Sequence, residues 1–247
     1  MSDDLVSLRI IGISAAEAEF ELWRHGAGLS SVPVEFSVCN VASGAAQLGA
    51  GKADICLIDN ALPETEKSAV VAAARANKPG PLIFVSGTNG NARPDGVDGM
   101  LRKPSSTDDA RKLIEICVRA KFPTRVLIVD DSGTMRSIVR KILSASRFAL
   151  DMQEAAEGFG ALEQLRSGKF GLVFLDYNMP GFNGLETLSE IKRESPTVAV
   201  VMMTSTLDNA IADRAHAAGA LAFLKKPFYP ADIDRLLERY YGLHTAG

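Results

Sequence analysis

The sequence is short of cysteine, of long apolar runs and of any charge excess, and each shortage removes a class of protein. Its three cysteines, Cys39, Cys56 and Cys117, all fall in the first half. Their number is odd and they lack the paired spacing of a metal site, so they read as small buried apolar residues rather than as a disulfide framework or a zinc centre. No apolar run approaches the roughly 20 residues that cross a bilayer, and "MSDDLVSLRI" lacks the basic start and long apolar stretch of a secretory signal. A cytoplasmic protein without a membrane partner is expected. Residues 1–122 carry 13 basic against 15 acidic side chains and the remainder 14 against 15, within a net charge of −3. Neither half offers the positive field that nucleic acid requires.

What is present is a soluble-core composition, 47% apolar and 23% charged, in a chain of 247 residues. Compact domains cluster near roughly 100 to 150 residues, which favours two. A repeat supports that division. "GKADICLIDNALP" (51–63) matches "GKFGLVFLDYNMP" (168–180), setting Asp59 beside Asp176 and Pro63 beside Pro180. "PLIFVSG" (81–87) parallels "VAVVMMTS" (198–205), setting Ser86 beside Thr204, and "GMLRKP" (99–104) parallels "AFLKKP" (222–227). At the start of each copy, "LRIIGISAAE" (8–17) stands beside "VLIVDDSGTM" (126–135), with Gly12 and Ile13 opposite Asp130 and Asp131. Domains are expected over 1–121 and 124–247, joined by a helix from about Thr107 to Lys121 that Pro123 ends. So short a connection predicts a fairly fixed arrangement.

Within the second copy, apolar strands at 126–129, about 150–155, 172–175, 199–203 and 221–224 alternate with amphipathic helices at about 134–146, 159–167, 185–194, 208–218 and 231–241. That alternation predicts a five-stranded parallel α/β sheet with helices on both faces. In the first copy, the landmark spacing places a deletion of about five residues in "GTNGNARPDGVDG", a Gly-, Asn- and Pro-rich segment without helical period. Its counterpart has Asp208 as an N-cap and Ile211, Ala215 and Ala218 on one face. The fourth helix of the first domain is therefore expected to be shortened or absent.

In open parallel sheets, sites form beyond the carboxyl ends of the strands. Asp130 and Asp131 follow the first strand of the second copy, Asp176 the third, Thr204 the fourth and Lys226 the fifth. Three converging carboxylates repel unless a cation neutralises them. Mg²⁺, which takes about six oxygens and keeps several waters, suits such a set. Lys226 adds a point charge and Thr204 a hydroxyl donor for a phosphoryl oxygen.

These residues, with "LDYNMPGFNG" and "KKPF" in the same order, resemble the receiver domain of two-component response regulators over residues 125 to about 242. The resemblance implies a flavodoxin-like fold of the chemotaxis-regulator type, so the chain reads as two such domains in tandem. It implies that Asp176 accepts a phosphoryl group from a histidine kinase or phosphotransfer protein. Asp131 would ligate Mg²⁺ directly, Asp130 mostly through water, and the backbone carbonyl of Asn178 would complete the protein ligands. Lys226 would pair with Asp176 and then with the phosphoryl group. Thr204 would move to bond it, and Phe223 would serve as the switch aromatic. Pro227 would follow a cis peptide, Gly184 would be the loop glycine, and Asn178 and Thr206 would flank the site where hydrolysis is tuned. Tyr240 and Tyr241 read as packing residues.

Residues 5 to about 121 resemble the same family more weakly, keeping Asp59, Ser86, Lys103 and Pro104. With Gly12 and Ile13 in place of the metal carboxylates, a pseudo-receiver is expected, with Asp59 and Lys103 as an ion pair. Only "GLHTAG" follows the last helix, so output through protein contact is expected, with an unknown downstream target. A homodimer through the face of the fourth helix, fifth strand and fifth helix is a further expectation. A phosphate sink or relay intermediate is the alternative. An aspartate-nucleophile phosphatase is a more distant one, since its Asp-x-Asp would follow the first strand, whereas here the acidic pair precedes the acceptor and Asn178 stands two after it.

Overall fold

The computed structural model describes residues 7–87, 93–205 and 209–243. The chain divides into two compact units. The second spans Phe122–Tyr240, and the first takes the residues before it together with the C-terminal end from Tyr241.

In the first unit, β1 (Leu8–Ile13), β2 (Val34–Cys39), β3 (Ile55–Asp59), β4 (Leu82–Gly87) and β5 (Gly99–Arg102) form a parallel sheet in the order β2-β1-β3-β4-β5. Side chains alternate across it. Ile11, Ile13, Cys56, Ile58, Ile83 and Val85 form one core with Leu48 of α2 (Val41–Gly49) and Val70, Val71 and Ala74 of α3 (Glu64–Arg75). Elsewhere in the unit, α1 (Glu21–Ala27) packs on α4 (Thr107–Lys121), and a Cβ on Gly26 would lie 2.6 Å from the Arg111 nitrogen. Glycine permits that approach.

All three cysteines are buried and unpaired. Burial pushes the thiols of Cys56 and Cys117 up, which leaves them inert.

The helix expected to be missing is absent among the described residues: between β4 and β5, residues 93–98 carry only a turn at Asp95–Gly96. Asp98 closes this stretch, accepting from the Ile83 amide at 2.7 Å and from Arg75 at 2.7 Å.

The second unit repeats the plan with β6 (Thr124–Val129), β7 (Leu150–Ala155), β8 (Leu172–Asp176), β9 (Ala199–Thr204) and β10 (Ala222–Lys225), all parallel in the order β10-β9-β8-β6-β7. Its helices are α5 (Gly133–Ser144), α6 (Gly158–Ser167), α7 (Gly184–Glu194), α8 (Asn209–Ala217) and α9 (Pro230–Tyr241). The expected elements agree to within two residues at each end, and Asp208 lies outside the described residues. Leu127, Val129, Val173, Leu175, Val200 and Met202 meet α6, α7 and Ala215 in one core. Ser132 caps α5 through the Met135 amide, and Asn183 with Glu186 closes a capping box on α7. The first cap follows Asp130 and Asp131 at the end of β6, and the second follows the loop after Asp176, the last residue of β8. Among the described residues, no helix is long and apolar enough to cross a membrane.

Candidate metal and phosphoryl site

Asp130 follows β6 and Asp176 ends β8, and parallel pairing of the two strands brings their carboxylates to one end of the sheet. Both are almost fully buried, and Lys226 bridges them, its Nζ donating to Asp130 Oδ2 at 2.6 Å and to Asp176 Oδ1 at 2.8 Å. Asp131 stands beside them in the open, and the three carboxylates offer oxygens within 4.8 Å of one another. The Asp130 carboxylate also accepts from the Ser132 amide at 3.0 Å, and Asp176 Oδ2 from the Asn178 amide at 3.1 Å. A groove of about 490 Å³ opens on the cluster, with Met135, Ile138 and Ile142 of α5 along one wall.

The charges are poised against each other. Burial pushes the Asp176 carboxyl above its usual range, against the pull of Lys226 and with the repulsion of Asp130 adding to it. Burial alone would lower Lys226, but its hydrogen bonds and charge pairing with Asp130 and Asp176 outweigh that, and its pKa is raised. Three carboxylates against one ammonium leave an unneutralised excess of negative charge. The donor set is all oxygen and partly open to water, so it fits a hard divalent ion, and Mg²⁺ is the cofactor this cluster matches.

Thr204 ends β9, fully buried, and its carbonyl accepts from the Lys226 amide at 2.7 Å. Phe223 on β10 is half-buried against the core. The Lys226–Pro227 bond is cis, as expected, and Lys78–Pro79 is a second cis bond that the sequence did not announce. A Cβ on Gly184 would stand 2.4 Å from the carbonyl oxygen of Asp176, so α7 can begin against β8 only with glycine there. Thr206 lies outside the described residues. Tyr241 is buried and Tyr240 partly so, as packing residues should be.

The comparisons with known proteins agree with this geometry. Residues 126–238 match the family described as the response regulator receiver domain. Chemotaxis protein CheY-3 of Vibrio cholerae is 35% identical over 119 residues, which are 47% of this chain and 91% of that protein. Chemotaxis protein CheY of Thermotoga maritima is 31% identical over 115 residues, 47% of this chain and 95% of its own.

The chain belongs to the receiver-domain family.

Receiver domains are phosphoacceptor proteins whose own aspartyl phosphorylation and dephosphorylation are their only chemistry, and the phosphatase alternative falls with that assignment. The solved structure of a probable two-component system response regulator/GGDEF domain protein aligns with 95% of this chain and 99% of its own length. Its TM-score is 0.55 and its identity 20%, a likeness of fold alone.

Strand register corrects two pairings drawn from the sequence. Ile13 pairs with Ile58 as Val129 pairs with Leu175, so Gly12 and Ile13 lie inside β1. The positions matching Asp130 and Asp131 are Ser14 and Ala15. The Ser14 amide donates to the Cys39 carbonyl as the Asp130 amide does to that of Ala155, and the Ala16 amide donates to Ser14 Oγ as that of Ser132 does to the Asp130 carboxylate. Likewise Ser86 pairs with Asp59 where Met203 pairs with Asp176, so the counterpart of Thr204 is Gly87. Gly87 and Thr204 stand 117 positions apart and Lys103 and Lys226 stand 123 apart, so the shorter copy lacks six residues there, not five.

The first receiver fold fills the corresponding space with fixed contacts. Ser14 Oγ donates to the buried Asp59 Oδ2 at 2.8 Å, and the Ala61 amide donates to Oδ1 at 3.1 Å. Lys103 reaches Asp59 at 3.4 Å and Glu19 at 2.5 Å, and Glu19 foremost raises its pKa. A Cβ on Gly87 would lie 2.5 Å from Cβ of Asn60, whose side chain occupies the place where a threonine would emerge. Asn60 is held in turn by the buried Lys67, through both its carbonyl and its side-chain oxygen at 3.2 Å. Sequence reading missed Ser14, Glu19, Asn60 and Lys67. The only signal was a lysine on the otherwise apolar face of α3, at the position of Gly184.

Proposed function

We propose that the second receiver domain is a Mg²⁺-dependent phosphoryl switch and that the first is a pseudo-receiver kept for contact. The observation that carries this is the Lys226 bridge between buried Asp130 and Asp176, beside exposed Asp131. The first domain offers Ser14, Ala15 and Gly87 at the matching positions.

Asp131 would hold Mg²⁺ directly, Asp130 mostly through water, with Asp176 and the Asn178 carbonyl completing the set. The ion supplies charge neutralisation for in-line phosphoryl transfer, which asks a protein mainly for positioning and electrostatics. Asp176 attacks phosphorus through a carboxylate oxygen, the donor histidine nitrogen leaves with the electron pair of the broken bond, and an acyl phosphate forms. Lys226 then turns its charge to the phosphoryl oxygens. Thr204 moves to bond the same group, and Phe223 rotates into the space it leaves, which reshapes the face of α8, β10 and α9. Lacking a hydroxyl, Phe223 has nothing to anchor it outward. A cytoplasmic histidine kinase or phosphotransfer protein would supply the phosphoryl group, and the changed face would bind a downstream protein or a second copy.

A pull-down from lysate with wild type and Asp176→Asn, each with and without beryllofluoride and Mg²⁺, tests the switch. Partner capture or dimer formation that depends on the mimic and on Asp176 is expected. Binding of the mimic with no change in partners or in size would assign the domain to phosphate storage or relay instead.

A further inference from the structure

We infer that Arg136 and Glu154 form a positioning pair for the Mg²⁺ site, an inference that rests on the placement of the ion at Asp130, Asp131 and Asp176. Arg136 Nη1 donates to the backbone carbonyl of Asp130 at 2.7 Å and to that of Asp131 at 3.4 Å. Its Nε donates to Glu154 Oε2 at 3.0 Å, and the other oxygen of Glu154 accepts from Arg140 at 2.7 Å. One planar fork therefore ties the two carbonyls that flank the metal carboxylates to the neighbouring strand β7. Asp131 needs such a tie, because its exposed carboxylate makes no hydrogen bond or ion pair among the described residues. Only its backbone restrains it. Glu154 has a second effect: although shared with Arg140, its negative charge offsets part of the positive charge that would otherwise oppose a divalent cation nearby.

The first domain provides an internal comparison. Strand register sets Val38 beside Gly12 as Glu154 is beside Ile128, and the sixth residue after Ser14, as Arg136 is the sixth after Asp130, is Phe20, in the 3-10 turn (Glu17–Phe20) that leads into α1. The Phe20 ring lies 2.9 Å from where a Cβ on Gly12 would be, and it packs against Phe36 at 6.0 Å between centroids. The same sheet and the turn into its first helix are thus joined by an apolar contact, in the copy whose carboxylate positions hold Ser14 and Ala15. The fold does not require the charged pair, and it accompanies the metal carboxylates.

Mg²⁺ titrated alone into the full chain by calorimetry tests the pair. Arg136→Ala and Glu154→Gln should each raise the Mg²⁺ dissociation constant by about 10-fold, the lower end of what outer contacts to metal ligands contribute. Arg136→Lys should recover part of the loss. The phosphorylation deficit of each variant with acetyl phosphate should close as Mg²⁺ is raised, whereas a purely structural role would lower the melting temperature and leave the Mg²⁺ midpoint in place. If Arg136→Ala does not fold, Glu154→Gln, which keeps the guanidinium, decides alone. Folded variants that bind Mg²⁺ as wild type does, or more tightly, overturn the pair. Asp131→Asn separates the two levels: with its Mg²⁺ binding impaired and that of Arg136→Ala intact, only the pair is wrong. Wild-type binding by Asp131→Asn would overturn the metal site itself.

Discussion

Replacing Lys226 with methionine removes the ammonium that bridges Asp130 and Asp176, whose side chains are 2% and 7% exposed. The three carboxylates of the cluster lie within 4.8 Å, so two ionised ones repel by ~3.5 kcal/mol at an effective dielectric of about 20. Breaking a buried pair by deleting one partner costs about 3 to 5 kcal/mol, and protonation of one carboxyl limits the loss. A destabilisation of about 3 kcal/mol is expected in EDTA at pH 7, read by urea or thermal unfolding of the second domain. It should shrink as pH falls and a carboxyl takes up a proton. In wild type, the raised pKa of Lys226 means its contribution is present at neutral pH and is lost only as pH rises through that folded-state value. Mg²⁺ should bind Lys226→Met more tightly and recover more stability there than in wild type, since a competing cation has gone. Equal stability of the two proteins in EDTA, with equal gains from Mg²⁺, would refute the electrostatic reading of the cluster.

Asp176→Asn should raise the melting temperature in EDTA at neutral pH. The folded-state pKa of Asp176 is raised, so its ionised form costs stability as pH climbs through that value, and the gain should vanish in acid. Gly184→Ala should destabilise the second domain by about 1 to 3 kcal/mol, because the new Cβ meets the Asp176 carbonyl at 2.4 Å. Its phosphorylation rate should fall with it, measured with acetyl phosphate. In the first domain, Gly87→Thr should cost a similar ~1 to 3 kcal/mol by collision with Asn60, and Asn60→Gly added to it, which removes the colliding Cβ, should return part of the loss in a double-mutant unfolding cycle.

The second domain was readable because each polar landmark follows an apolar strand, and strand ends in a parallel sheet converge. Asp130, Asp176 and Lys226 meet as their spacing required. The first domain was harder to align. The apolar run of β1 continues through Gly12 and Ile13, and nothing in the string says where the strand stops. Only its pairing with β3 shows that Ser14 takes the place of Asp130. The same applies to Ser86: a hydroxyl near the end of β4 looked like the counterpart of Thr204, yet one residue changes the face, and the matching position is Gly87. The contacts that fill the space, Asn60 with Lys67 and Lys103 with Glu19, join residues from separate elements, so they become visible only after folding. The absence of a helix among the described residues between β4 and β5, by contrast, was legible from Gly, Asn and Pro without period.

Acetyl [³²P]phosphate with Mg²⁺, followed by peptide mapping, tests the central assignment most directly. One phosphoryl equivalent on Asp176, none on Asp59, and loss of all label in Asp176→Asn or in EDTA is the predicted result. Label retained in Asp176→Asn and lost in Asp59→Asn would contradict it.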